Sequence, residues 1–253
     1  MELGRRGLLK LASGALATTG LIACGAPSFA GAKAKAIAFD AFPIFDPRPV
    51  FSLAEELYPG RGAELGNAWR TRQFEYAWLR TLEGQYADFW TVTQDALTFA
   101  TNKLGIAPNA EMSARLMNAY LELKPWPDVV PTLKLLKDSG IRLGFLSNFT
   151  ERMLTSCIAA SALDGMFEQI LSTDRVKAFK PDLRAYQMGV ESFALPREDI
   201  VFAAFAGWDA AGAKAFGYPT FWVNRLNAPP EELSVVPDGS GKSLRELMRF
   251  ALS

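Results

Sequence analysis

From residue 36 onward the apolar positions follow two rhythms. Short, solid apolar runs occur at 36–40 (AIAFD), 141–147 (IRLGFLS), 169–173 (QILST), 200–206 (IVFAAFA) and 220–224 (TFWVN). Each is too short for a helix and too uniformly apolar for a strand with one wet face, so these are strands buried on both faces. Helical periodicity fills the gaps at 128–138, 150–162, 183–194 and 208–216. Helix-sized spacers between buried strands predict an α/β fold, a parallel Rossmann-like sheet core with helices on both faces. Ligands of such sheets bind beyond the carboxyl ends of the strands. Asp40, Ser147 and the end of IVFAAFA all fall there.

One stretch breaks the alternation. Between 50 and 124 the pattern reads as helix after helix, at 50–58, 63–83, 86–104 and 111–123, separated by the turn signals PGRG, LEGQY and GIAPNA. Helices placed between the first and second strands predict a helical cap at 50–124, inserted after the first strand. The α/β core is then 36–49 and 125–253, with Pro125-Trp126-Pro127 marking the return.

The start of the chain follows neither rhythm. Arg5-Arg6-Gly7-Leu8-Leu9-Lys10 and the apolar run LASGALATTGLIAC read as a twin-arginine signal over 1–30. The run is too short and too rich in Gly, Ala and Thr for a membrane span. The expectation is export to the periplasm through the twin-arginine machinery. Two exits compete: cleavage after Ser28-Phe29-Ala30, giving a soluble protein, or acylation of Cys24 in Leu21-Ile22-Ala23-Cys24, giving a lipid anchor. Either way only Cys157 remains as a free thiol, and no internal disulfide is expected.

Composition narrows the chemistry. Lys and Arg number 27, Asp and Glu 27, so formal charge is balanced and no nucleic-acid partner is indicated. The chain contains no histidine. Ser-His-Asp and Cys-His nucleophilic machinery is therefore excluded, as are the usual zinc sites. Asp, Glu, Lys, Tyr, Ser and Cys are left to carry any acid–base or nucleophilic step.

Four features stand at strand ends or helix starts: Asp40, followed at once by apolar residues; Ser147-Asn148; Lys180-Pro181-Asp182; and Trp208-Asp209. Taken singly each has a plain alternative. Ser147 and Asp209 suit helix caps, Tyr186 and Trp208 suit core aromatics, and Arg70 and Lys180 suit surface charges.

Taken in order they resemble the haloacid dehalogenase superfamily. The cap stretch WRTRQFEYAWLR (69–80), with FDAF (39–42), LSN (146–148), KAFKPDLRAY (177–186) and WDAAGAKAFGYPTFWVNR (208–225), is similar to the L-2-haloacid dehalogenases. The resemblance spans essentially all of 36–226 and implies these roles. Asp40 is the nucleophile that displaces halide and forms an aspartyl ester, and Arg70 holds the halide or the substrate carboxylate. Ser147 and Asn148 bind the carboxylate. Lys180 keeps Asp40 ionised, and Asp209 orients the hydrolytic water. Ala41, Phe42, Tyr186 and Trp208 line the substrate pocket. The implied substrate is a small (S)-2-haloacid or related anion, with no cofactor and no metal. Metal-dependent phosphatases of the superfamily place a second aspartate two residues after the nucleophile; here that residue is Phe42, which can neither bind a cation nor protonate a leaving group.

Four positions depart from the dehalogenase pattern. Ile44 stands for a threonine, and Ala204 and Ala206 for a serine and an asparagine, while Pro43 replaces a glycine. These losses predict either slow hydrolysis of the ester or a pocket reshaped for another ligand, in the extreme a protein that only binds a small carboxylate. Whether two copies pair through the cap is left open.

Overall fold

The computed structural model describes residues 34–253. The expected signal over 1–30, with Cys24 and the cleavage position, lies outside them. Six strands form one sheet: β1 (Ala36–Phe39), β2 (Arg142–Ser147), β3 (Gln169–Ser172), β4 (Ile200–Ala204), β5 (Thr220–Val223) and β6 (Gly239–Gly241). Their order is β3-β2-β1-β4-β5-β6, and every neighbouring pair is parallel.

Alternation along each strand divides the core in two. Ile37, Phe39, Phe145 and Val201 face one apolar cluster, and Ala36, Ala38, Leu146 and Phe202 face the other. This is the double burial that the solid apolar runs predict. The chain runs outward from β1 to β2 and β3, then crosses to β4 on the opposite side of β1. The carboxyl ends of β1 and β4 therefore flank the crevice where the strand order reverses.

Helices α1 (Ala41–Ile44), α2 (Arg48–Leu57), α3 (Gly62–Leu82), α4 (Phe89–Lys103) and α5 (Ala110–Ala119) follow β1 directly. Helix α3 is locked in place by its neighbours. Gly62 lies so close to the Glu55 backbone that a Cβ there would fall 2.1 Å from the Glu55 Cα, so only glycine permits the crossing with α2. On the α4 side, buried Trp69 donates its Nε1–H to the Thr93 carbonyl at 2.8 Å, and Gln73 donates to the Thr93 hydroxyl at 2.7 Å. Phe179 of the core donates its backbone N–H to Thr81 at the end of α3 at 3.0 Å. The helix that carries Arg70 is thus anchored at three levels.

The remaining helices, α6 (Val129–Asp138), α7 (Glu151–Ala160), α8 (Leu183–Phe193), α9 (Gly207–Phe216) and α10 (Leu244–Leu252), cover the sheet. Four elements differ from the sequence expectation: helices α1 and α10 lie where no helix is expected, and two strands differ as well. The strand expected to run to 206 stops at Ala204, where pairing with β5 ends, and Trp222 Nε1–H then holds the Phe205 carbonyl in a bend at 3.0 Å. Strand β6 was not expected at all, because GSG carries no apolar signal; it exists through its ladder with β5.

Candidate active site

Asp40 sits at the mouth of β1, 9% exposed, in extended conformation (φ −61°, ψ 163°) as the N-cap of the short turn α1. Its two oxygens are unequally surrounded. Oδ1 accepts from Lys180 Nζ at 2.8 Å and from Ser147 Oγ at 3.2 Å, whereas Oδ2 accepts only the Phe42 backbone N–H at 3.3 Å. The α1 turn is itself clamped. Trp126 Nε1–H donates to the Phe42 carbonyl at 2.9 Å, and Arg225 donates to the Pro43 carbonyl from Nε at 3.1 Å and Nη2 at 2.8 Å. Pro43 and Ile44 thus continue into a packed turn, with Ile44 fully buried, and the apolar residues behind Asp40 fix its position.

Lys180 is 1% exposed and bridges two carboxylates, reaching Asp209 Oδ2 at 2.6 Å as well as Asp40. Burial alone would push its ammonium down, but Asp209 and Asp40 together hold it above the usual lysine value. Asp209, 1% exposed, also accepts from the Tyr186 hydroxyl through Oδ1 at 2.8 Å. Its burial, opposed by Lys180 and reinforced by the Asp40 charge, raises its pKa from 3.8 to about 6. Two acids and one buried base make a closed electrostatic unit with one net negative charge.

Above this unit lies a cavity of about 50 Å³ lined by Asp40, Arg70, Asn148, Trp208, Asp209 and a collar of phenylalanines. Asn148 uses its side-chain oxygen to accept the Lys180 backbone N–H at 3.0 Å, so contact with a ligand falls to its NH₂ group. Arg70, an exposed residue of α3, lines the cavity, and among the described residues no ion pair includes it. A carboxylate with one lightly bonded oxygen, a buried cation, a second carboxylate and a guanidinium outside any ion pair among the described residues meet at a small apolar chamber. That constellation suits attack on a small anionic substrate.

Comparison with known proteins then decides the family. Residues 21–217 match the model of the haloacid dehalogenase-like hydrolases. The chain belongs to that family. It is 40% identical over 207 residues to haloacetate dehalogenase H-2 of Moraxella sp. (strain B), covering 81% of this chain and 92% of that one. It is 38% identical over 217 residues to an (S)-2-haloacid dehalogenase of Pseudomonas sp. (strain YL), covering 85% and 94%. The solved L-2-haloacid dehalogenase of Xanthobacter autotrophicus with chloropropionic acid covalently bound superposes with a TM-score of 0.77 at 33% identity, covering 85% of this chain and 97% of that one.

In this haloacid dehalogenase-like hydrolase two residues expected in the pocket wall, Ala41 and Tyr186, are placed otherwise, and Ser147 lines the cavity with its hydroxyl turned to Asp40. Ala41 is fully buried in the core and does not line the cavity, because the α1 turn points its side chain inward. Tyr186 is also fully buried and stands behind Asp209, with its own carbonyl accepting the Tyr218 hydroxyl at 2.6 Å. Ser147 lines the cavity, but it gives its single hydroxyl proton to Asp40 and accepts the Phe149 N–H at 3.3 Å, so its donor faces Asp40. Phe42, Asn148 and Trp208 do line the cavity. Of the three departures that put an apolar residue in a polar place, Ile44 and Ala204 are buried in the two core clusters, and only Ala206 reaches the cavity.

Gln73 and Tyr120 also line the chamber, and sequence reasoning passed over both. Gln73 was within reach, since it lies one helical turn from Arg70 on α3. Tyr120 carries no local signal; it arrives from the end of α5 through packing on Trp69.

The Tyr186–Asp209 bond allows a direct test. Tyr186→Phe removes a hydrogen bond to a charged group, worth about 1.5–3 kcal/mol, so turnover is expected to fall roughly tenfold or more while the fold persists. Because that bond favours the ionised carboxylate, its loss raises the Asp209 pKa further. The acid limb of the pH–rate profile is expected to move to higher pH, and an unmoved limb would separate Tyr186 from Asp209 function.

Proposed function

We propose that this protein hydrolyses small (S)-2-haloacids to (R)-2-hydroxyacids through an ester on Asp40. The observation that carries the reading is the unequal setting of the Asp40 oxygens. Oδ2, with one long backbone contact, is the freer electron pair and attacks C2; the carbon–halogen bond breaks and halide leaves with its electrons. Oδ1 becomes the ester carbonyl, already held by Lys180 Nζ and Ser147 Oγ. When water adds to the ester carbon, negative charge develops on Oδ1, where those two donors stabilise it without reorganisation. The acyl–oxygen bond then breaks and Oδ2 leaves as the product hydroxyl. The water oxygen joins the regenerated carboxylate, and one proton is released with the halide.

Arg70 is the group for the departing halide or the substrate carboxylate, Asn148 binds the carboxylate, and Asp209 orients the attacking water. Asp209 must be ionised for that task, and it titrates at about 6. Ester hydrolysis is expected to fall about tenfold per pH unit below that value and to level off above it, since the raised Lys180 keeps its charge there. Halide release followed from pH 4.5 to 9 checks this; a profile flat through pH 5 would remove Asp209 from the water step.

Apolar groups at Ile44, Ala204 and Ala206 support a second reading, in which the ester forms but hydrolyses slowly. Intact mass after incubation with (S)-2-chloropropanoate, alongside halide release, separates the two. Steady halide with no adduct supports turnover. A stoichiometric adduct on Asp40 with a single burst of halide supports the stalled ester. Neither adduct nor halide would sink both. Export to the periplasm rests on the Arg5-Arg6 motif and the run that follows it; mass of the mature N-terminus, cleaved near Ala30 or acylated at Cys24, tests it.

A further inference from the structure

A second, larger chamber adjoins the first. Its volume is about 410 Å³, and it lies between one face of α3 (Asn67, Thr71, Phe74, Trp78) and the segments after β4 and β5. Arg70, Phe74, Phe205, Ala206, Trp208 and Leu226 line both chambers, so the two share a wall. Ala206, whose side chain is a single methyl group, is the smallest residue of that wall.

The inner chamber has little spare room. A water-sized group needs about 10–15 Å³ of such volume, so about 50 Å³ takes only a few such groups: the carboxylate, C2 and the halogen. Any larger substituent on C2 must cross the shared wall. What it meets is strongly aromatic. Trp78, Trp208, Trp222, Phe74 and Phe205 all face the outer chamber, with Trp208 meeting Phe74 and Trp78 edge-on at 5.4 Å each. A passage used only by chloride and a hydrated two-carbon acid gains nothing from such a lining, whereas a flat apolar group buries against it. One further observation points to an occupant. The Trp78 Nε1 is buried with no hydrogen-bond partner among the described residues, a donor that the π-face of a bound ring would accept.

We infer that the outer chamber is a second subsite that receives an aromatic substituent on C2, so that the protein takes aryl-substituted 2-haloacids as well as short ones. The inference rests on the haloacid reading for the carboxylate half of the ligand and on the outer chamber for the rest. Asp40 and Arg70 then act on the acid head, and the ring passes over Ala206 to stack among Trp78, Trp208 and Trp222.

The test uses unreactive acids first, so that it does not depend on chemistry. Calorimetric titration of the wild-type protein with 3-phenylpropanoate and with propanoate should show the aryl acid binding about tenfold to a hundredfold tighter, from the apolar area it buries. Thr71→Trp and, separately, Asn67→Trp fill the outer chamber from exposed positions of α3. Both should erase most of that preference. Equal binding of the two acids to wild type, or a preference that survives both substitutions, overturns the subsite. Halide release is measured in parallel from chloroacetate and 2-chloro-3-phenylpropanoate. Absence of halide from both acids counts against the hydrolase reading alone, with the subsite still judged by calorimetry. Release from chloroacetate with no aryl preference in binding overturns the subsite and leaves the hydrolase reading standing.

Discussion

Asp40→Asn is expected to lower halide release by at least about 10⁴-fold, the scale of losing a nucleophile that no neighbouring group can replace. The expectation is steep because the chamber offers no second candidate. Asp209 has both oxygens engaged, by Lys180 at 2.6 Å and Tyr186 at 2.8 Å. Cys157 is buried and bonded to the Tyr120 carbonyl, away from the cavity, with its thiol pushed up to about 11 by burial. Asparagine keeps the size of Asp40, and Lys180 keeps Asp209 as a partner, so the variant should fold. The check is halide release together with intact mass: no adduct should form. Residual turnover within about tenfold of wild type would place the nucleophile elsewhere and dismiss the ester mechanism.

Lys180→Met is expected to damage both activity and stability. The lysine is the only cation between Asp40 and Asp209 among the described residues, and all three are nearly sealed from water. Removing one partner from a buried ionic cluster typically costs about 3–5 kcal/mol, because the charges left behind are neither solvated nor paired. For a domain of this size that corresponds to a fall in Tm on the order of 10 °C. The sign with pH is fixed. Without Lys180 one carboxylate is driven to bind a proton, so its folded-state pKa rises above the unfolded value. The variant should therefore recover stability as pH falls and lose it as pH rises through that pKa. Adding Asp209→Asn should restore much of the Tm near neutral pH, but not the activity, since the oxyanion partner of Asp40 Oδ1 is still missing. Thermal unfolding at pH 5 and pH 8 provides the reading. A Lys180→Met variant as stable as wild type at pH 8 would show that the cluster is solvated after all.

How much of this was legible before folding follows from the range of each signal. Strand and helix signals are local, so the five apolar strands and the helices between them are readable to within a few residues. Elements held only by partners were not: β6 has no apolar residue of its own, and β4 stops at Ala204 because β5 stops pairing with it. At the site, Asp40 stood out as a charge at an apolar strand end, whereas Lys180 and Asp209 were singled out by the order of motifs that resembles the family. Their contacts were not, since Lys180 reaches across 140 and 29 positions of sequence to its two acids.

The sequence by itself thus determined the parallel α/β core, the helical insert after the first strand and the absence of histidine, and it named charged residues that meet around the cavity. Only the tertiary structure decided which of those residues touch one another. It turned Tyr186 away from the pocket and onto Asp209, and spent the Ser147 proton on Asp40. It buried Ile44 and Ala204 in the core, and opened a second chamber beside Ala206. The physical reason is one of distance. Propensity and periodicity act between residues a few positions apart, whereas the direction of a hydrogen bond and the shape of a cavity are set by segments that meet only once the sheet has assembled.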